Sequence, residues 1–423
     1  MIIPSIDLQG GQAVQLVNGE RLALEAGDPA PLASMFGRVG PIAVIDLDAA
    51  MGKGSNADII HELIRSHRCR VGGGIRDIET AIRWLDAGAE HVIIGTAATV
   101  EFVQQLPKER VIVALDTRHN EVVVEGWRSG TGTSAEERML ELRDYVDGFL
   151  VTFVENEGLM QGTQLDRVAS LKESAGSCHL TIAGGVTTKA EIASLDDAGA
   201  DAQVGMALYT GRLTLAQGFS APVTTDRQDG LWPTIVVDEF DRALGLCYSN
   251  LQSLEAALES GSGVYWSRSR GLWRKGKTSG ARQELLSVSV DCDRDTLRFK
   301  VRQHGPGFCH LDRCSCFGDL GGIPRLSQRL RDRADSAPAG SYTRRLLEDD
   351  TLLGAKVVEE AYELVAARTP QEVTSEAADV LYFTLVTLAR HRVPLDDVVD
   401  LLNRRSLHVT RRPGLAKNLD NQR

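Results

Sequence analysis

The chain has 423 residues, 43% of them hydrophobic, and a net charge of −11; it is long enough for two to four globular domains and too acidic for a nucleic-acid binder that works through a basic surface. Its seven cysteines, an odd number with no secretory leader, fit thiolate metal ligands in a reducing cytosol better than a disulfide framework. No apolar run approaches the roughly eighteen residues of a membrane span, so neither nucleic acid nor membrane is expected as a partner.

The first 215 residues alternate short buried-strand runs with amphipathic stretches. Ile42-Ala43-Val44-Ile45, Val92-Ile93-Ile94, Val111 to Leu115, Phe149-Leu150-Val151 and Leu180-Thr181-Ile182 read as strands, and Asp77 to Ala87 and Lys189 to Ala198 as helices between them. Unbroken β-α alternation of this length predicts an eight-fold (β/α)8 TIM barrel. An internal repeat sharpens the expectation. Gly73-Gly74-Ile75 recurs as Gly184-Gly185-Val186, Gly95-Thr96-Ala97 as Gly205-Met206-Ala207, and Ile6-Asp7 as Leu115-Asp116, at offsets of 111, 110 and 109. A duplicated half-barrel should carry two equivalent phosphate sites at its mouth, each a Gly-rich loop with backbone N–H groups, and so should take a substrate with two phosphates. Each glycine pair by itself is compatible with a tight packing turn.

A polar connector, 218–228, follows the barrel. Beyond it, Cys292, Cys309 and Cys316 offer three thiolates, one short of a closed structural zinc site and matching the open arrangement of a catalytic zinc. A structural zinc knot completed by Cys314 is the alternative. Asp291, Asp293 and Asp295 alternate beyond the strand-like run 285–290, which predicts three carboxylates on one strand face, suited to magnesium. The stretch 318–341, rich in Gly, Pro, Arg and Asp, reads as a second linker. Two helices are then expected, Leu352 to Arg368 and Gln371 to His391. They carry acids at i, i+3: Glu360 and Glu363 on the first, beside Glu359, and Glu376 and Asp379 on the second. The apolar neighbours Ala377, Ala378, Val380, Leu381, Tyr382 and Phe383 predict that Asp379 is buried, where a carboxylate needs a partner or a metal. Facing one another, the two pairs would form a magnesium cage.

Three resemblances follow from these motifs. The central stretch, with Ser267-Arg268-Ser269-Arg270, Trp273, Lys275-Gly276, Thr278-Ser279-Gly280, Asp229-Gly230-Leu231 and Gly245-Leu246-Cys247-Tyr248, resembles phosphoribosyl-AMP cyclohydrolase. The resemblance implies an α+β domain, zinc on the three cysteines, magnesium on the three aspartates, and substrate contacts from Arg268, Arg270 and Lys275. The C-terminal part, with Ser341 to Leu346, Lys356, Glu359-Glu360, Glu363 and Glu376-Ala377-Ala378-Asp379, resembles phosphoribosyl-ATP pyrophosphatase, an all-α pyrophosphohydrolase bundle. There Arg344, Arg345 and Lys356 would hold phosphates and the acids would hold magnesium.

The barrel resembles the ProFAR isomerase of the same histidine pathway through Ile3 to Leu8, Asp46-Leu47-Asp48, Gly72-Gly73-Gly74-Ile75-Arg76, Gly126-Trp127, Thr152 and Gly205 to Tyr209. The resemblance implies Asp7 and Asp116 as the acid–base pair and phosphate contacts from Gly73, Gly74, Arg76, Gly95, Thr96, Gly184, Gly185 and Gly205. It departs from the family at Gln15, where an Arg is usual, at Phe153, and at Glu157, where an Asp is usual. Gln15 and Phe153 are expected to alter the substrate-contacting rim. The expected whole is a cytoplasmic histidine-biosynthesis enzyme acting on phosphoribosyl nucleotides as a homodimer, with the barrel spanning 1–217, the cyclohydrolase 225–318 and the pyrophosphatase 324–423. His310, beside a zinc ligand, is the expected proton shuttle or general base; the alternative is a structural histidine supporting the metal ligands. The alternatives are a barrel kept only as a phosphate-binding scaffold, and a regulatory protein with structural metal sites.

Overall fold

The computed structural model describes residues 1–410 apart from 18, 20, 125, 128, 337 and 339; the last part of the expected pyrophosphatase, 411–423, lies outside the described residues. Chain contacts divide it into one compact unit of residues 1–236, 246–305 and the segment from 407 onward, and a second of 237–245 and 306–406. No helix among the described residues is long and apolar enough to cross a membrane.

The first unit contains the expected barrel. Eight parallel strands close on themselves: β1 (Ile2–Gln9), β2 (Ile42–Asp46), β3 (Cys69–Gly72), β4 (His91–Ile94), β5 (Val111–Arg118), β6 (Gly148–Phe153), β7 (His179–Ala183) and β8 (Asp201–Val204), with β8 pairing back onto β1. The strands read as continuous apolar runs because both faces are covered. One face points inward, where Ile45, Ile93, Ile112, Ala114, Leu150 and Ala183 pack together. The other set, Val44, Val71, Val92, Val113, Val151 and Ile182, is fully buried on the opposite strand face. The half-barrel repeat extends to the insertions. An antiparallel hairpin follows β1 (Gln12–Val17 with Arg21–Gly27), and another follows β5 (Glu121–Val124 with Ser129–Ser134). Side-chain caps start the helices: Asp77 accepts from the Thr80 N–H before Ile78–Ala87, and Thr188 with Glu191 forms a capping box before Lys189–Asp197.

Beyond the barrel the chain forms a four-stranded sheet, in the order Ala243–Ser249, Trp232–Val237, Leu297–Gln303, Gln283–Val290, with the helix Leu251–Ser260 and the hairpin Val264–Ser267/Gly271–Arg274. It is bound to the barrel by the Arg38 guanidinium, which donates to the Leu258 carbonyl at 2.7 Å, by the Val288 N–H on the Arg38 carbonyl at 2.6 Å, and by an ion pair between Arg294 and the buried Asp196.

Five helices make up most of the second unit as described: Gly322–Ser336, Tyr342–Glu348, Asp350–Ala366, Pro370–Arg390 and Leu395–Ser406. Their core is Leu330, Leu346, Leu353, Phe383, Leu385, Val386 and Ala389. The linker reading of 318–341 is therefore corrected. Its middle is helix, because Leu326 and Leu330, four residues apart, bring one apolar stripe onto this core while the Arg and Asp residues keep the other face polar.

Candidate functional site

The C-terminal ends of the barrel strands surround a cavity of about 380 Å³, and every barrel residue expected to act in catalysis or phosphate binding lines it. Two loops of matching shape flank it. Gly73 has φ +95° and Gly184 φ +91°; a Cβ at either would lie 2.2 Å from the Asp46 carbonyl oxygen or 2.4 Å from that of Phe153. The next residues, Gly74 and Gly185, are also left-handed, and a Cβ there would meet backbone at 2.7 and 2.2 Å. Only glycine fits these four positions, and their equivalence is the duplicated loop read from sequence. Gly95 and Thr96 on one side, and Gly205 on the other, complete the rim. Arg76 turns its guanidinium onto the carbonyls of Ala49 and Ala50, at 3.2 and 2.7 Å, and so braces the first loop.

Three carboxyl groups share this cavity: Asp7 at the end of β1, Asp116 at the end of β5, and Glu157 after β6. Each is ringed by protein, with part of its surface open to the cavity. Burial pushes Asp7 up to about 7. Burial likewise raises Asp116, against the opposing effect of hydrogen bonds from Trp127 and Thr152. Glu157 is pushed up to about 8 by burial and by the negative charges of Asp7 and Asp116. The Trp127 indole N–H donates to Asp116 Oδ2 at 2.8 Å, and the ring lies against Gly19 in the turn of the first hairpin. Asp7 and Asp116 were legible from the repeat. Glu157 was read only as a longer replacement, and nothing in its local sequence signals that it faces both aspartates.

Two rim expectations are corrected. Phe153 pairs beside Thr152 on β6, but period-two alternation sends it to the opposite face, where it is 1% exposed; Thr152 lines the cavity and Phe153 does not. Gln15 is buried below the rim, its Nε2 donating to the Val14 carbonyl at 2.9 Å and its Oε1 lying under Gly205.

In the central domain, ligand atoms of Asp291, Asp293 and Asp295 lie within 4.8 Å of one another. They converge through a turn and not along a strand: β pairing ends at Val290, Arg294 has φ +64°, and Asp291 Oδ1 accepts the N–H groups of Asp295 and Thr296, each at 3.1 Å. Those N–H bonds outweigh the opposing effect of burial and hold Asp291 below the usual carboxylate range. Cys292 is exposed in the same turn. The guanidinium of Arg268 lies over the Tyr248 ring at 4.8 Å, while Arg270 and Lys275 lie over Trp273 at 5.3 and 5.6 Å.

Cys309 and Cys316 belong to the second unit. Cys309 is buried in a tight turn, with its N–H on the Arg313 carbonyl at 3.0 Å; Cys316 is exposed, with its N–H on the Leu244 carbonyl at 2.8 Å. Cys314 is half-buried, and its thiol is raised mainly by burial. His310 is exposed. Among the described residues, groups of three or more ligand atoms converge in two places, and neither includes a cysteine.

The second such place is on the helices, where Glu360, Glu363 and Glu376 bring ligand atoms within 4.8 Å. Burial and the charges of Glu363, Glu360 and Asp379 raise the Glu376 carboxyl, the mark of an acid cluster short of positive charge. Lys356 supplies part of it, pairing with Glu359 at 2.9 Å and Glu360 at 2.7 Å. Asp379 is exposed, contrary to the expectation of burial, because Ala378 and Leu381 beside it are exposed too. Arg344 is exposed and pairs with Glu348 at 2.7 Å; Arg345 is exposed next to it.

Comparison with known proteins divides the chain in the same order. Residues 1–214 match the family model described as histidine biosynthesis protein, 245–318 that of phosphoribosyl-AMP cyclohydrolase, and 323–406 that of phosphoribosyl-ATP pyrophosphohydrolase. A histidine biosynthesis trifunctional protein of Neurospora crassa is 39% identical over 351 residues, 81% of this chain and 38% of that protein. A histidine biosynthesis bifunctional protein of Schizosaccharomyces pombe is 48% identical over 206 residues, 49% of each. A phosphoribosyl imidazole-4-carboxamide isomerase of Gemmatimonas aurantiaca is 40% identical over 232 residues, 50% of this chain and 94% of the isomerase. The matched part of this chain spans between about a quarter and a half of the length of the fungal relatives. The chain belongs to the histidine biosynthesis protein family, with a phosphoribosyl-AMP cyclohydrolase region and a phosphoribosyl-ATP pyrophosphohydrolase region following its barrel.

Proposed function

We propose that the chain is a fused enzyme of histidine biosynthesis. Its helical region hydrolyses phosphoribosyl-ATP to phosphoribosyl-AMP and pyrophosphate, its central domain opens the purine ring of phosphoribosyl-AMP at N1–C6, and its barrel isomerises the opened ribotide to a ketose. The observation that carries this reading is the order of three matched regions on one chain, each with its own convergent acidic cluster. The product of each step is the substrate of the next. Feeding phosphoribosyl-ATP to the purified chain and following pyrophosphate, ring-opened ribotide and ketose tests it. Accumulation of the ring-opened ribotide without ketose would return the barrel to a phosphate-binding scaffold.

In the barrel, Asp116 places a proton on the ribose ring oxygen and Asp7 removes the proton at C2, the two ends of an Amadori rearrangement. Near neutral pH Asp7 is part-ionised and Glu157 keeps its proton, so the cluster holds a base and a donor together. The expected isomerase profile is a bell. Below about 7 the base is protonated and kcat/KM falls; above about 8 the last carboxyl proton is lost and it falls again. Glu157→Gln removes the highest-titrating group and should move the alkaline limb to lower pH. An unmoved alkaline limb would assign that proton elsewhere.

Cys292, Cys309 and Cys316 are the proposed zinc ligands, and three thiolates with an open fourth position suit a zinc that lowers the pKa of bound water. His310, next to Cys309, is the proposed proton carrier. Cys309→Ala should lose both bound zinc and ring opening while pyrophosphate release continues; ring opening by a zinc-depleted Cys309→Ala would refute the assignment. Asp291, Asp293 and Asp295, and separately Glu360, Glu363, Glu376 and Asp379, are the proposed magnesium ligands. All-oxygen donor sets suit a hard cation that polarises phosphate or water.

A cytoplasmic homodimer completes the proposal. Val358, Tyr362 and Val365 form an i, i+4, i+7 stripe, 54–77% exposed, of the kind a second copy would cover. Leu311, within the cysteine loop, and Phe317, just after it, are also exposed.

A further inference from the structure

We propose that Arg227, on the connector ahead of the central sheet, binds a phosphate of the phosphoribosyl nucleotide in the central domain; the inference rests on the cyclohydrolase reading of that domain. Arg227 lies ahead of the matched stretch 245–318. The turn that carries it is organised around Asp229. The Arg227 Nε and Nη2 donate to the two Asp229 carboxylate oxygens at 2.9 and 2.7 Å, and the Leu231 N–H donates to Oδ1 at 3.2 Å. The Gly230 N–H closes on the Arg227 carbonyl at 3.0 Å, and Thr225 Oγ1 donates to the Leu231 carbonyl at 2.9 Å. The guanidinium is thereby held 4.6 Å from the centre of the Tyr248 ring.

Arg268 lies over that same ring at 4.8 Å. Two guanidinium groups on one tyrosine repel each other, and the charges of Asp229 and Asp226 act on Arg227. With a chain charge of −11, two cations gathered on one ring form a locally basic surface that a bound anion would stabilise. The chemistry of the donors points the same way. A guanidinium has five N–H groups, and Asp229 takes two of those on Arg227, leaving three with no hydrogen-bond partner among the described residues. A planar fork held in place by a carboxylate and an aromatic face loses little entropy when it grips a phosphate with two hydrogen bonds. The adjacent hairpin, with Arg270 and Lys275 on Trp273, continues the cationic surface, so a phosphomonoester is the ligand class.

The test uses the full chain and steady-state ring opening of phosphoribosyl-AMP, with pyrophosphate release from phosphoribosyl-ATP as the control for folding of the same preparations. Loss of a charged hydrogen bond to the phosphate means that Arg227→Ala should raise KM roughly ten- to a hundred-fold with kcat little changed. Arg227→Lys should recover part of the loss, and Asp229→Asn, which only loosens the fork, should raise KM less. An unchanged KM in Arg227→Ala overturns the proposal, as does a fall in kcat alone. AMP binding, measured by calorimetry, separates this inference from the reading beneath it. If the unmutated chain opens no purine ring, the cyclohydrolase reading fails; AMP binding that is weakened by Arg227→Ala would still support a phosphate contact there, and equal AMP binding would remove it.

Discussion

Asp7→Asn and Asp116→Asn should each lower isomerase turnover by about 10²–10⁴-fold, the range typical of a general acid or base, with substrate affinity largely kept. The substitutions are nearly isosteric, and the two Gly loops that would grip the phosphates do not involve either carboxylate. Asp116→Asn should carry an additional signature, because its carboxylate accepts the Trp127 indole N–H at 2.8 Å. An amide oxygen can still accept that bond, so tryptophan fluorescence should change little while turnover collapses. Binding of the ring-opened ribotide by calorimetry, alongside turnover, is the measurement. Loss of binding in step with turnover would make the aspartates structural supports. Near-normal turnover in Asp7→Asn would pass the base role to another group in the cavity, for which Glu157 is the neighbour in place.

What the sequence could and could not convey follows from the kind of signal each residue carries. The barrel was legible because its strands are buried on both faces and so are continuous apolar runs, and because the duplicated glycines stand where backbone crowds backbone; both are local constraints. Alternation misled wherever the strand had already ended. Asp291, Asp293 and Asp295 alternate as a strand would, but they sit in the turn after Val290, and their convergence comes from Asp291 tying the turn through two N–H groups. Phe153 was misjudged for the opposite reason: it is still within β6, so its side chain points away from the cavity. Asp379 shows a third limit. Its apolar neighbours record that the helix face favours cover, but Leu381 remains 47% exposed, so hydrophobicity alone does not say that the cover comes from the same chain. Glu157 depends on tertiary placement: its carboxyl matters because two aspartates from distant strands face it.

Pyrophosphate release from phosphoribosyl-ATP should fall by about three orders of magnitude in Glu376→Gln, and likewise in Glu363→Gln, in keeping with the several kcal/mol that metal-ion charge stabilisation contributes. Glu376 has the most to lose. It stands on the helix Pro370–Arg390 facing Glu360 and Glu363 of Asp350–Ala366, and their charges together with burial raise its carboxyl. Without a cation, three acids in one place oppose one another, and the Lys356 ammonium, already shared between Glu359 and Glu360, offsets only part of that repulsion. Removing one charge should therefore leave the bundle at least as stable in metal-free buffer while weakening magnesium binding. That pairing of effects distinguishes a metal site from a structural one. In a structural cluster, glutamine would break needed hydrogen bonds, stability would fall, and magnesium would change neither variant nor unmutated chain. The decisive comparison is denaturant unfolding of the helical region with and without magnesium, beside pyrophosphate release: magnesium should stabilise the unmutated chain and not Glu376→Gln. Ring opening of phosphoribosyl-AMP by the same preparation should persist, since the acids of the central domain are untouched.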